Sequence, residues 1–236
     1  MALPEELEEK IVVGMYDRGL LGFPDGGIIL KSGRNSPYYY NDRPSLSVSA
    51  ELDRSGVMSR QNQLEFRSDL AKGFGARFLE LSVHIDHVFG KAQAATAPAA
   101  LGAYEAGISY LWERIDEPDK AYGSHQKIEG TYEAGEQVGL GDDVVTDAAS
   151  KKQGASVLTA EGLVPVSVTL KFDRQEGGIQ TLEELGFEAN AVTDLTKATG
   201  FLLGNGRIGN KEIDLLYAYH QGLIDEGLVS TFAFTA

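Results

Sequence analysis

Residues 137–150 read QVGLGDDVVTDAAS, and the fold turns on how that stretch is taken. An apolar, β-favouring run (137–145) carries two adjacent carboxylates, Asp142 and Asp143, near its end. It then passes through a short polar turn into SKKQGASVLTAEG (150–162), which reads as a helix. Backbone N–H groups of a turn entering a helix N-terminus form an anion site, reinforced by the helix dipole. Thr146 and Ser150 bring hydroxyl donors to that turn. The two acids do not bind an anion, but they accept hydrogen bonds from the vicinal hydroxyls of a ribose. Sugar hydroxyls on the acids and phosphate in the turn describe a ribose 5-phosphate.

Working outward, short β-rich runs alternate with helical ones. VHIDHVFG (83–90) is a strand followed by an Ala-rich helical stretch to Gly107, and ISYLWER (108–114) is a second strand. LVPVSVTLKFD (163–173) is a fourth, TLEELG a short helix, and FEANAVT (187–193) a fifth. This alternation predicts a mostly parallel five-stranded sheet flanked by helices. Leu3, Leu7, Ile11 and Met15 recur every four residues and predict an N-terminal helix ending near Gly19. IILKSGRNSPYYYNDRP then reads as two short strands around a turn, and Leu64, Leu70, Phe74 and Phe78 predict a helix over about 60–80. Ile213, Leu216, His220 and Leu223 lie on one stripe of a closing helix. The division expected is a helix and hood segment at 1–58, an α/β core at 59–209 and a packing helix at 210–236, all in one globular domain.

With 35 acids against 21 bases in 236 residues, the net charge of −14 argues against a nucleic-acid surface. The chain has no Cys, which excludes disulfides and thiolate metal sites. No apolar run nears the ~20 residues that span a bilayer. MALPEELEEK lacks the basic and apolar regions of a signal peptide, so a cytoplasmic location is expected.

Ligands of open parallel sheets bind past the carboxyl ends of the strands. The segments there are FGKAQAATAP (89–98), ERIDEPDKAYGSHQK (113–127), DDVVTDAAS and FDRQEGG (172–178). Together with LKSGRNSPYYYN (30–41) and IEGTYEAGEQV, these resemble the orotate phosphoribosyltransferases, a branch of the type I phosphoribosyltransferases, over nearly the whole chain. DDVVT matches the ribose-phosphate signature of many type I members, while KSGR-x-SPYY and DRQEGG resemble the orotate branch. The resemblance implies a type I fold with a small N-terminal hood. It implies transfer of ribose 5-phosphate from phosphoribosyl pyrophosphate (PRPP) to orotate, giving orotidine 5'-monophosphate and pyrophosphate in pyrimidine synthesis. It also implies Mg²⁺ held by PRPP and water rather than by protein ligands, and a homodimer with a shared active site.

Residue by residue, the resemblance places Lys31 in the PRPP and orotate region and Tyr39 and Tyr40 at the base. Asp142, Asp143, Thr146, Asp147, Ala148, Ala149 and Ser150 hold the ribose phosphate, with Thr146 also bordering orotate. Arg174 faces the orotate carboxylate, a role that suits its planar fork; the bland alternative pairs it with Asp173 or Glu176 on the surface. ERIDEPDKAYGSHQK matches the catalytic loop, with Arg114, Lys120 and His125 as its candidate cations. Charge growing on the leaving pyrophosphate is what such cations stabilise. The chain departs from the family where Ile115 follows Arg114, where Gln93-Ala94-Ala95 stands in the first phosphate turn, and where Asp147 replaces the small neighbours of Thr146. Two rival readings follow: a PRPP- or nucleotide-binding regulatory relative, and a transferase acting on another base. His84 and His87, on opposite faces of a strand, read as structural or surface residues. Trp112, Phe74 and Phe78 read as core.

Overall fold

The computed structural model describes residues 2–30, 33–91, 95–114, 127–145 and 149–230. The chain divides into two compact units. One comprises Met1–Leu3, Leu70–Asp173 and Gly178–Val192; the other comprises Pro4–Asp69, Arg174–Gly177 and Thr193–Ala236. In chain order the elements are α1 (Glu5–Asp17), β1 (Leu21–Gly22), β2 (Ile28–Ile29), β3 (Asn35–Ser36), β4 (Tyr39–Tyr40), α2 (Ala50–Arg54) and α3 (Arg60–Glu80). They continue with β5 (His87–Gly90), α4 (Thr96–Ala106), β6 (Ser109–Glu113), β7 (Ile128–Glu129), β8 (Gln137–Val144) and α5 (Ala149–Ala160). The last are β9 (Val164–Asp173), α6 (Gly178–Glu184), β10 (Glu188–Asp194), α7 (Leu195–Gly204) and α8 (Asn210–Asp225).

The central sheet has six strands in the order β10-β9-β8-β5-β6-β7, one more than the five expected. The addition is β7, a two-residue strand antiparallel to β6. It is too short to carry an alternation pattern, so no periodicity marks it in the sequence. β5 pairs parallel with both β6 and β8, and β8 pairs parallel with β9. Parallel strands covered on both faces are apolar throughout, and Phe89, Val138, Leu140, Val168, Leu170 and Phe172 are all buried.

Gly141 of β8 sets how closely two helices approach. A Cβ on Gly141 would stand 2.7 Å from the Ala99 Cβ on α4 and 3.3 Å from the ring tips of Phe74 and Phe78 on α3. Phe74 and Phe78 pack at 4.9 Å between ring centroids and are buried, as the helical spacing predicts. Trp112 departs from its expected place in the core. It is 41% exposed and stacks on Tyr110 at 6.0 Å. Its strand β6 lies next to the sheet edge, where one face meets solvent.

In the second unit, α1 buries Ile11, Val12 and Met15, and Gly14 admits the Phe66 ring where a Cβ would lie 2.4 Å from it. α8 buries Leu216, His220 and Leu223, as the stripe predicts. The helix α7 has no counterpart in the sequence reading. Its signals are the cap Asp194, which accepts from the Lys197 N–H at 2.9 Å, and the spacing of Leu195, Ala198 and Leu202. The antiparallel pairs β1–β4 and β2–β3 place the YYY triplet. Tyr38 and Tyr40 are buried, whereas Tyr39 is 38% exposed.

Candidate active site

In the first unit the C-terminal ends of β5, β6 and β8 bring charged side chains together. Asp142 is buried, its Oδ1 accepts from the N–H of Asp143 at 2.8 Å, and its Oδ2 lies 2.8 Å from Nζ of Lys151. Asp143 accepts from the N–H of Val144 at 2.8 Å. Burial first, and then the adjacent Asp142 charge, push the Asp143 carboxyl up to about 6. It therefore remains mainly ionised at neutral pH and able to accept hydrogen bonds from hydroxyl groups.

Beside this pair, Lys91 follows β5 and meets Glu113 of β6 at 2.6 Å. Arg114 lies 3.6 Å from Glu129 and hydrogen-bonds through its N–H to the Lys127 carbonyl at 2.8 Å. Lys91, Arg114 and Lys151 each have a carboxylate, as a chain of net charge −14 leads one to expect. Among the described residues, no group of three or more His, Asp or Glu converges on a metal position. His84 is exposed on Asp86 at 2.9 Å, and His87 is buried on Glu136 at 2.8 Å, at the opposite ends of the strands.

In the second unit, one carboxylate oxygen organises a cluster. Glu176 Oε1 receives Nε of Arg174 at 3.0 Å and Nη2 at 2.8 Å, the Tyr38 hydroxyl at 2.9 Å and the Tyr219 hydroxyl at 3.1 Å. Arg174 Nη2 also donates to Ser36 Oγ at 3.3 Å, and its guanidinium lies 4.4 Å above the Tyr38 ring. Tyr219, on α8, meets the Tyr38 ring edge-on at 6.2 Å. Burial, foremost, raises the Tyr38 hydroxyl well above the usual phenol range, so it stays a donor. Arg174 is thus paired with Glu176, one of its two bland partners, but in a buried cluster: the residue is only 4% exposed. Gln175, between the two, has φ of 56°, which turns its neighbours to the same side.

Of the residues singled out from the sequence, Asp142, Asp143 and Arg114 lie in the first unit. Tyr39, Tyr40 and Arg174 lie in the second, where Tyr40 is turned inward to donate to Asp42 at 3.2 Å. Ala149 and Ser150 open α5. Lys31, Lys120, His125, Thr146, Asp147 and Ala148 lie outside the described residues. Sequence reading missed Tyr38, Tyr219 and Lys151, and gave Glu176 only as a surface partner of Arg174. Strand alternation, which sets Tyr38 apart from Tyr39, would have found the first; nothing local marks the α8 contribution.

No profile of a known protein family matches the chain. Individual relatives do. Uridine 5'-monophosphate synthase of Bos taurus is 26% identical over 221 residues, 94% of this chain and 42% of that protein. The chain therefore spans less than half the length of that relative. Orotate phosphoribosyltransferase of Halorhodospira halophila is 27% identical over 179 residues, 73% of this chain and 74% of the relative. In three dimensions, the orotate phosphoribosyltransferase of Francisella tularensis superposes with a TM-score of 0.65 at 22% identity, covering 89% of this chain and 94% of that one. This last likeness is one of fold.

Proposed function

We propose that this chain, which belongs to the orotate phosphoribosyltransferases within the type I phosphoribosyltransferase family, transfers the ribose 5-phosphate of PRPP to orotate and releases pyrophosphate. The observation that carries the reading is the acid pair at the end of β8, with Asp142 buried and Asp143 partly buried beside it. A carboxylate in that place accepts the ribose hydroxyls and orients the sugar so that its anomeric carbon can be attacked. The buried Arg174, fixed over Tyr38, is the group suited to the carboxylate of orotate. Tyr39 and Tyr40 border the base, and Lys31, Lys120, His125 and Arg114 supply cations to the leaving pyrophosphate. Thr146, Asp147, Ala148, Ala149 and Ser150 form the phosphate turn. Two copies of the chain share the active site.

Magnesium enters this reading as an ion carried on the pyrophosphate oxygens and water. The carboxylates Glu113 and Asp142 are already bound to lysines, which fits an ion that relies on substrate oxygens. Bound there, it would supply charge neutralisation and a template for the diphosphate. No helix among the described residues is long and apolar enough to cross a membrane.

The test is orotate consumption followed by ultraviolet absorbance with PRPP and Mg²⁺. Turnover that requires both PRPP and orotate is the expected result. Saturable PRPP binding without consumption of orotate or of any other base would replace the enzyme with a nucleotide-binding relative.

A further inference from the structure

Lys151 is the residue near the acid pair whose presence the reading above does not require. Its Nζ lies 2.8 Å from Asp142 Oδ2 and donates to the carbonyl of Val144. The lysine is 4% exposed. Along α5 the buried positions are Lys151, Gly154 and Leu158, at spacings of three and four, which mark the stripe that packs on the sheet. An apolar side chain is the usual occupant of such a position. A buried ion pair is at best neutral for stability against apolar residues of the same volume, because both charges lose their hydration. Folding alone therefore gives no reason for a lysine here.

The bonding pattern gives one. Asp142 has one oxygen on the Asp143 N–H and the other on Lys151, so its orientation is fixed by the protein. Without a cation, two neighbouring carboxylates would present about two negative charges to a ligand that is itself a phosphate, and like charges at short range repel. Lys151 cancels one of them. Lys91, a buried lysine at the end of β5, does not do this. Lys91 reaches to within 3.5 Å of where a Gly154 Cβ would stand, yet its amino group is spent on Glu113. Lys151 also joins the last residue of β8 to the first turn of α5 through the Val144 carbonyl.

We propose that Lys151 is a positioning residue for sugar-phosphate binding: by pairing with Asp142 it fixes the acid pair's geometry, halves its charge, and so admits an anionic ribosyl ligand. The inference rests on the ribose 5-phosphate reading of the acid pair. A residue of purely structural value would change the melting temperature and leave the ligands alone, which makes the two cases separable.

The experiment compares the wild type with Lys151→Met, Lys151→Arg and the double variant Lys151→Met/Asp142→Asn. Each is measured for ribose 5-phosphate binding by calorimetry and for the KM of PRPP, the KM of orotate and kcat. Lys151→Met should weaken ribose 5-phosphate and raise the PRPP KM by about tenfold or more, the scale of one uncompensated charge close by. The orotate KM should stay within about twofold, and Lys151→Arg should recover most of the loss because it keeps the charge. The double variant restores the net charge without the tether and should fall between, at about threefold. It also guards against Lys151→Met failing to fold, since it leaves no lone buried charge. Ribose 5-phosphate affinity within twofold of wild type in either folded Met variant overturns the proposal. If the wild type binds ribose 5-phosphate, Lys151→Met weakens it, and orotate is never consumed, this inference stands while the choice of orotate fails. If the wild type binds no ribose 5-phosphate, both fall.

Discussion

Asp143→Asn should make the protein more stable and less able to hold its substrate. The folded state raises this carboxyl from 3.8 to about 6, through burial first and the neighbouring Asp142 charge second. A raised carboxyl binds its proton more tightly when folded than when unfolded. Its contribution is therefore favourable below pH 3.8 and is lost as pH rises through 6, where ionisation must occur in a partly buried place beside Asp142. Each unit of difference is worth about 1.4 kcal/mol, so near pH 8 the ionised acid costs the fold about 3 kcal/mol, and near pH 5 about half of that. Asparagine keeps an oxygen for the Val144 N–H and carries no charge, so it removes the cost. Parallel melts of wild type and variant near pH 8 and pH 5 make the comparison, since titrating groups away from the acid pair cancel between the two proteins. At roughly 2–4 °C per kcal/mol for a chain of this size, the variant should gain about 6–12 °C near pH 8 and about half as much near pH 5. The same variant should lose ribose 5-phosphate affinity. A gain that does not shrink toward pH 5, or no gain near pH 8, would refute the account of why this carboxyl is raised.

Gly141→Ala places a methyl 2.7 Å from the Ala99 Cβ; overpacking of this kind costs about 1–3 kcal/mol, read as a lower midpoint in urea. Asp194→Ala removes the cap on the Lys197 N–H and should cost about 1 kcal/mol, with ligand affinities unchanged in calorimetry. Tyr219→Phe deletes one donor to Glu176 Oε1; it should cost about 1 kcal/mol of stability and raise the KM of orotate while leaving that of PRPP alone. Equal rises in both constants would show that the Arg174 cluster is not specific to the base.

The alternation of strands and helices was plain in the sequence because parallel strands buried on both faces are continuous apolar runs bounded by turns, as in LVPVSVTLKFD (163–173). The pair of acids could be read from the same kind of run, since they end a strand where ligands of parallel sheets bind, although acids in such places are also common solvated loop residues. What escaped was set by distance in sequence. Glu176 meets Tyr38 and Tyr219 across 138 and 43 positions, and no local pattern announces a contact of that kind. Lys151 escaped for a different reason, because in KKQG it looks like one of two solvated lysines and only the helical phase turns it inward. β7 escaped by being two residues long, and Trp112 was misplaced because size and apolarity say nothing of whether a strand lies near a sheet edge.

Gln175 bears on any attempt to engineer this protein for heat. Its left-handed backbone, φ 56°, is the kind of position where replacing a side chain by glycine is a standard route to relief, worth on the order of 1 kcal/mol. Yet its Oε1 accepts from both the N–H and the hydroxyl of Thr196, at 2.9 and 2.8 Å, in the first turn of α7. Those two bonds are worth about as much again, and the glycine would lose them along with the stiffness that keeps Arg174 and Glu176 turned the same way. Relief of strain and loss of anchoring would cancel in a melting curve. A stability screen would pass over the position, and only an assay of base selectivity would register what had been given up.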